Sequence, residues 1–180
     1  MNGILIWNPA AHEDARGFFS ELWKAGVSGR QFGQIEQINI SLSKAGVLRG
    51  LHLQHNEPMG KAMTVVSGKA HIVAVNCNPL SEDFRRIVEL TIDANKPTVF
   101  YAGPGWARGF LALEDNTRVM YACTGRYTAG GEIAIEPFSA GVEWPKMDYI
   151  VSEKDTTSKT FREHWLEGWY TDTIRWEDLV

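Results

Sequence analysis

The sequence predicts an all-β protein, an antiparallel sandwich or barrel of the jelly-roll kind. Short apolar or alternating runs recur along the chain and are separated by Gly, Pro, Asn, Asp or Ser. This pattern is typical of many short strands joined by turns. Most runs are rich in β-branched and aromatic residues, which favour strands. Helical periodicity is scarce, so helices are expected to be minor elements.

The strand predictions follow the chain in order. Residues 65–73 are predicted as two strands joined by a tight turn. The strand-like runs are residues 3–7, 34–42, 61–66, 70–75, 86–92, 98–101, 109–113, 118–124 and 132–135.

Two segments have helical spacing. In residues 158–170, Phe161, Trp165 and Trp169 recur every four residues, and Ser158 is the expected N-cap. A weaker helix is predicted over residues 18–24. The sequence therefore predicts a strand-rich body with a short helical C-terminal appendage. We expect a single domain over residues 1–180, in which residues 156–180 form a C-terminal extension.

Composition excludes several classes of protein. The 180 residues are 44% hydrophobic and 22% charged, which is ordinary for a globular chain. A net charge of −4 argues against nucleic-acid binding. Cys77 and Cys123 are too few for a disulfide framework. Because neither a secretory signal nor an apolar run long enough to span a membrane is found, a cytoplasmic protein is expected.

The densest polar segment is residues 47–55, VLRGLHLQH. If it is a strand, side chains alternate between its faces. Side chains pointing into a barrel would then line a polar cavity, whereas the plainer alternative is a histidine satisfied in the core or on the surface. One predicted face carries Arg49, Leu51, Leu53 and His55, and the other carries Leu48, Gly50, His52 and Gln54.

Residue spacing alone argues against two kinds of chemistry. A metal site is disfavoured because Arg108 stands where a later strand would supply another ligand, and a guanidinium cannot ligate a cation. Nucleophilic catalysis is disfavoured because no G-x-S-x-G elbow occurs. Scattered acid, base and anion-binding candidates remain, and spacing does not assemble them: His52, Lys61, Tyr121, Asp155, Arg16, Arg49 and Arg108.

Residues 14–21, DARGFFSE, and residues 46–54, GVLRGLHLQ, are two of several strings that, taken in order, resemble the dTDP-4-dehydrorhamnose 3,5-epimerase family. The first string matches the D-x-R-G-F-F-x-E of this family, and the second resembles its central motif. The further matches are Gly60-Lys61 with residues 65–68, residues 121–127, residues 142–145 and residues 151–155.

The resemblance implies a metal-free cupin jelly roll without a cofactor, usually a homodimer. The implied substrate is a nucleotide-linked 4-keto-6-deoxyhexose, such as dTDP-4-dehydro-6-deoxyglucose. Carbons 3 and 5 of that sugar flank the ketone, so their protons are acidified. Epimerisation at carbon 3, carbon 5 or both is implied. A non-catalytic nucleotide-sugar-binding cupin and a metal-dependent cupin enzyme are the alternatives.

The resemblance also assigns catalytic roles. His52 is implied to take the proton, since imidazole exchanges protons near neutral pH. Asp155 would hold the other ring nitrogen. Lys61 would face the enolate oxygen, and Tyr121 would deliver a proton from the opposite side.

Substrate-binding roles are implied for a second set of residues. Arginine side chains in this set would hold the diphosphate or sugar oxygens. Residues 1–25 are implied to exchange between subunits, so that some of these side chains serve the partner's site. The set comprises Arg16, Phe18, Glu21, Gln37, Asn39, Arg49, Arg108 and Tyr127.

The chain departs from the family pattern at several positions. Arg108 replaces the usual histidine of P-x-G-x-A-H-G-F, which implies an altered substrate or epimerisation at one carbon only. Asn76 replaces an acidic residue, and Arg126 replaces the first tyrosine of a pair. The tail, residues 161–180, has no pattern assigned to the family.

Overall fold

The computed structural model describes residues 3–24 and 33–167, in which thirteen strands and two short helices occur. The all-β prediction is confirmed. Strands are β1 Ile4–Trp7, β2 Ala11–Asp14, β3 Gly17–Ser20, β4 Gln37–Ser43, β5 Val47–Gln54, β6 Lys61–Ser67, β7 Lys69–Asn76, β8 Ile87–Asp93, β9 Val99–Ala102, β10 Trp106–Ala112, β11 Thr117–Cys123, β12 Glu132–Ala134 and β13 Ile150–Val151. Helices are α1 Glu153–Thr156 and α2 Phe161–Leu166.

Two sheets form the body. The five-stranded sheet has the order β1-β9-β6-β11-β4, and the six-stranded sheet has the order β12-β5-β10-β7-β8 with β13 beside β5. All pairs within the sheets are antiparallel except β13 with β5, which is parallel. Strands β2 and β3 form a separate hairpin.

The main core lies between the two sheets. Phe100 of β9 and Phe110 of β10 are fully buried in it, one from each sheet. Burying a side chain of this size contributes roughly 1.5–3 kcal/mol. Their cluster also contains Met63, Val65, Ala70, Ile72, Ala74, Ile92, Ala102, Trp106, Ala112 and Val119.

A second core covers the other face of the six-stranded sheet. Leu48, Leu51 and Leu53 of β5 pack there against Trp144 and against Phe161 of α2. The segment that contains Trp144 leads into β13, which pairs with β5. The second core therefore anchors the chain on both sides of α1.

A β-bulge in β5 overturns the predicted alternation. Arg108 pairs with His52, whereas Phe110 pairs with Arg49. Three steps on β5 thus oppose two steps on β10, so one extra residue lies in β5. Arg49 and His52 consequently line the same cavity instead of facing opposite sides.

Gly50 provides the backbone freedom for this bulge. Its φ of +110° lies in a region that side-chain-bearing residues rarely adopt. A Cβ atom at this position would lie 2.6 Å from the Arg108 carbonyl oxygen. The bulge therefore requires glycine.

The helix predictions are only partly correct. Helix α2 begins at Phe161 with Thr160 as its N-cap, not at Ser158, because Thr160 and Glu163 form a capping box. Phe161 is buried, but Trp165 is 44% exposed. Trp169 lies outside the described residues.

The weaker helix prediction, over residues 18–24, is wrong. Strand β3 ends at Ser20, and residues 21–24 have no regular structure. Pairing with β2 overrides the local helical spacing. None of the helices in the described part of the chain is long and apolar enough to cross a membrane.

Candidate active site

A cavity of about 390 Å³ opens between the two sheets. This size suits a small organic ligand. Strands β4, β6 and β11 form one wall, and β5, β10 and β12 form the other. The lining comprises Gln37, Asn39, Ser41, Arg49, His52, Met59, Lys61, Met63, Arg108, Gly109, Phe110, Tyr121, Tyr127 and Glu132.

A His–Asp pair lies at the wall formed by the six-stranded sheet. His52 Nε2 is 2.7 Å from Asp155 Oδ1, and the Asp155 side chain is only 5% exposed. Parallel pairing of β13 with β5 brings the chain back beside His52, and Ser152 then caps α1. This placement could not be deduced from the separation of the two residues in sequence.

The charge of Asp155 determines which partner donates the hydrogen bond between His52 and Asp155. Burial raises the pKa of Asp155, but hydrogen bonds from His52 and Ser152 outweigh burial, and the pKa is lowered overall. Asp155 is therefore ionised at neutral pH and can only accept. It follows that His52 Nε2 carries a proton and donates it to Asp155, which leaves Nδ1 as the free nitrogen of the neutral ring.

Glu132 is a site residue that the sequence analysis missed. Its Oε2 lies 4.0 Å from His52 Nδ1, and its Oε1 accepts a hydrogen bond of 2.5 Å from Lys154 Nζ. Glu132 reaches this position because β12 pairs with β5. Strand β12 itself was predicted, but its pairing with β5 could not be predicted. The sequence therefore gave no indication that Glu132 lies near His52.

Lys61 and Tyr121 lie on the opposite wall, on neighbouring strands of the five-stranded sheet. Burial, followed by the positive charge of Arg108, lowers the pKa of Lys61. Burial raises the pKa of Tyr121, whose hydroxyl lies 2.7 Å from Ser41 Oγ. Tyr121 therefore keeps its proton at neutral pH and can donate it.

The predicted polar contacts Gln37 and Asn39 also line the cavity. Gln37 Nε2 donates to Asn39 Oδ1 at 2.8 Å, and Gln37 Oε1 accepts from the backbone N–H of Tyr127 at 3.0 Å. Arg49 donates two hydrogen bonds, from Nε to the Ser43 hydroxyl at 3.2 Å and from Nη2 to the Leu42 carbonyl at 3.3 Å. Because Arg49 and Tyr127 are exposed, this group lies towards the open end of the cavity.

The predicted binding residues Arg16, Phe18 and Glu21 are not brought to this cavity. Arg16 and Phe18 line a separate concavity on the β2–β3 hairpin, where Arg16 pairs with Asp14 at 2.5 Å. Glu21 lies 3.6 Å from Lys24. Within this one chain, their roles stay predictions.

Both cysteines lie where their thiols are poorly reactive. Cys77 and Cys123 are both buried. Burial raises the pKa of Cys77 to about 12 and also raises that of Cys123. Their thiols are therefore poor nucleophiles at neutral pH.

Fold and site together define a class of protein. A jelly-roll body of the cupin type carries His52, paired with Asp155 of α1, on one sheet and a protonated Tyr121 on the facing sheet. The protein-family model for dTDP-4-dehydrorhamnose 3,5-epimerase matches residues 1–163 of this chain. The chain belongs to this family of isomerases.

Individual relatives agree with the family assignment. The chain is 36% identical over 180 residues to dTDP-4-dehydrorhamnose 3,5-epimerase of Mycobacterium tuberculosis, covering 94% of this chain and 87% of the relative. The solved structure of the rmlC epimerase from Mycobacterium tuberculosis matches with a TM-score of 0.89 and 32% identity, over 98% of this chain and 91% of that one.

A relative with a narrower named activity matches equally well in fold. It is a double mutant of ChmJ, a 3'-monoepimerase from Streptomyces bikiniensis, solved in complex with dTDP. The TM-score is 0.90 with 26% identity, over 98% of this chain and 92% of that one. The family thus contains enzymes named for inversion at one carbon as well as at two.

Proposed function

We propose that this enzyme inverts carbon 3, carbon 5 or both in a nucleotide-linked 4-keto-6-deoxyhexose. The observation that carries the proposal is the 2.7 Å contact between His52 and Asp155, facing Tyr121 across the cavity. A base and an acid on opposite sheets can reach opposite faces of one sugar ring. Inversion requires that arrangement, because a proton must leave one face and return to the other.

The proposed reaction begins at the carbon beside the ketone. His52 Nδ1 takes the proton, and the electron pair of the broken C–H bond moves towards the ketone oxygen to give an enolate. Glu132 and Asp155 then stabilise the imidazolium from two sides. Lys61 supplies positive charge for the enolate. Such a group acts where charge develops.

Tyr121 completes the proposed inversion. Its hydroxyl gives a proton to the opposite face of the same carbon, and the enolate electrons return to form the new C–H bond. Exchange with water afterwards restores Tyr121 and His52. No cofactor enters these steps, because the ketone already acidifies the neighbouring hydrogens.

The open end of the cavity suits the nucleotide. Arg49 is proposed to bind the diphosphate, since a guanidinium matches its geometry and charge. Tyr127, 48% exposed, offers an aromatic face for the base. Gln37 and Asn39 are proposed to add hydrogen bonds to the substrate.

The proposal is tested by proton NMR of dTDP-4-dehydro-6-deoxyglucose in deuterated water with the purified protein. We expect the signals of H3, H5 or both to disappear, and the pattern of loss reports which carbons react. A non-catalytic nucleotide-sugar-binding protein would bind dTDP without loss of either signal, and that result would overturn the proposal.

Replacing Tyr121 with Phe separates proton removal from inversion. We expect deuterium still to enter the sugar, because His52 can remove and return a proton on its own face. Inverted product should fall by roughly 100-fold or more, the usual contribution of a general acid. Both quantities are measured in one NMR time course, with Tyr149→Phe as the control. Equal loss of exchange and inversion would contradict the assigned role.

We further infer that the chain forms a homodimer. Ile38, Ile40 and Leu42 of edge strand β4 are 65%, 63% and 53% exposed and share one outer face of the sheet. An apolar row of this kind on a surface commonly marks an interface. The exposed hairpin with Arg16, Phe18 and Glu21 is proposed to reach the partner's cavity. A cytoplasmic location stays a prediction.

Ile40→Glu tests the proposed dimer. In a symmetric interface the substitution introduces two carboxylates into an apolar contact, so we expect dimerisation to weaken on the order of 100-fold. Light scattering after gel filtration measures the mass. Leu80→Glu is the control, because Leu80 is 58% exposed but lies between β7 and β8, which belong to the other sheet from β4. A monomeric wild type, or a dimeric variant, would contradict the inference.

A further inference from the structure

Arg108 is a buried cation that has no carboxylate partner among the described residues. Its side chain lines the cavity, and the residue is only 4% exposed. In the described part of the chain, no carboxylate lies within ion-pairing distance of it. Leaving a buried charge unpaired is costly, so such a residue needs an explanation.

The hydrogen bonds of Arg108 are unevenly distributed. One terminal nitrogen, Nη2, donates to the carbonyls of Met59 at 2.6 Å, Gly103 at 2.5 Å and Ala102 at 3.2 Å. Nε and Nη1 are buried and find no acceptor among the described residues. Backbone therefore fixes one nitrogen of the guanidinium, while N–H groups on the other two stay unused.

The position of Arg108 relates it to the reacting end of the cavity. It is the cross-strand partner of His52 between β10 and β5. It also lies close enough to Lys61 for its charge to lower the pKa of that side chain. Arg49, the proposed diphosphate ligand, is exposed instead of buried. Arg108 thus belongs with the base and the lysine, not with the nucleotide end.

We propose that Arg108 is a catalytic residue at the cavity wall whose positive charge, together with that of Lys61, stabilises the enolate oxygen. This inference rests on the proposed epimerase function. When His52 removes the proton, the electron pair of the C–H bond leaves negative charge on the ketone oxygen. That oxygen then supplies the counter-charge that Arg108 lacks among the described residues.

This arrangement favours the transition state over the bound ketone. A neutral ketone oxygen is a weak partner for a buried guanidinium, whereas an enolate oxygen compensates its charge. Interactions that strengthen only as charge develops lower the barrier without tightening substrate binding. Arg108 should therefore affect kcat more than KM.

The test compares Arg108→Gln with Arg108→Lys, using dTDP-4-dehydro-6-deoxyglucose in deuterated water. For Arg108→Gln we expect kcat for exchange to fall on the order of 100-fold to 1,000-fold, the effect typical of removing one such donor. KM and the Kd for dTDP should change less than about threefold. Arg108→Lys keeps the charge and should recover at least tenfold of the loss. Arg86→Gln, a surface arginine paired with Asp83, is the matched control.

The possible outcomes are separable. If wild type exchanges no deuterium, the proposed function fails, whatever Arg108 does. If wild type exchanges and Arg108→Gln raises KM with kcat unchanged, Arg108 binds a substituent of the ground-state sugar and the enolate role is overturned. If Arg108→Lys and Arg108→Gln lose kcat equally while both keep wild-type circular dichroism and dTDP binding, charge is irrelevant and the role is overturned.

Discussion

Replacing His52 with Asn is expected to abolish proton exchange at the sugar ring. The amide cannot accept a carbon-bound proton, although it preserves much of the shape and can still contact Asp155. General bases contribute about 100-fold to 10,000-fold, so we expect exchange to fall on the order of 1,000-fold. Deuterium uptake into dTDP-4-dehydro-6-deoxyglucose, followed by NMR, measures the loss.

Binding is the control measurement for this variant. Because the proposed mechanism places His52 at the sugar end, the Kd for dTDP should stay within about threefold of wild type. His55→Asn is the matched control, since His55 lies three residues further on and does not line the cavity. Preserved exchange with lost dTDP binding would show that His52 is a binding residue and not the base.

The strand pattern of this chain was predictable because it depends on residues that are close together in the sequence. The tight turn between β6 and β7 falls inside the predicted segment 65–73, and most predicted strands lie within a few residues of the observed bounds. Alternating apolar side chains and turn residues carry that information. Helix α2 was less predictable, because its start depends on the capping contacts of Thr160 and Glu163 and not on apolar spacing.

The cavity was less predictable, because strand pairing creates it. The alternation rule placed Arg49 and His52 on opposite faces, and the bulge at Gly50 brings them to one. Glu132 was missed because only the pairing of β12 with β5 places it near His52. Eight of the residues implied by the family resemblance line the cavity: Gln37, Asn39, Arg49, His52, Lys61, Arg108, Tyr121 and Tyr127.

Asp155→Asn is expected to have the second large effect on exchange. In the proposed mechanism the buried carboxylate orients His52 and compensates the imidazolium that forms when the proton is taken. Asn keeps the size but loses the charge, and its amide N–H can bond Nε2 and so place the proton on the wrong nitrogen. In the comparable serine-protease triad this change costs about 10,000-fold, and we expect a loss of at least about 100-fold here. Deuterium uptake measures it.

The dependence of stability on pH distinguishes this positioning role from general damage. The folded-state pKa of Asp155 is lowered, so its stabilising contribution is present above the unfolded pKa, near 3.9, and is lost as pH falls through the folded value. Asp155→Asn should therefore lose less stability than wild type as the pH falls below about 4. Asp148→Asn, an exposed control, should match wild type in exchange. Wild-type exchange in Asp155→Asn would contradict the pair, because His52 would then need no carboxylate.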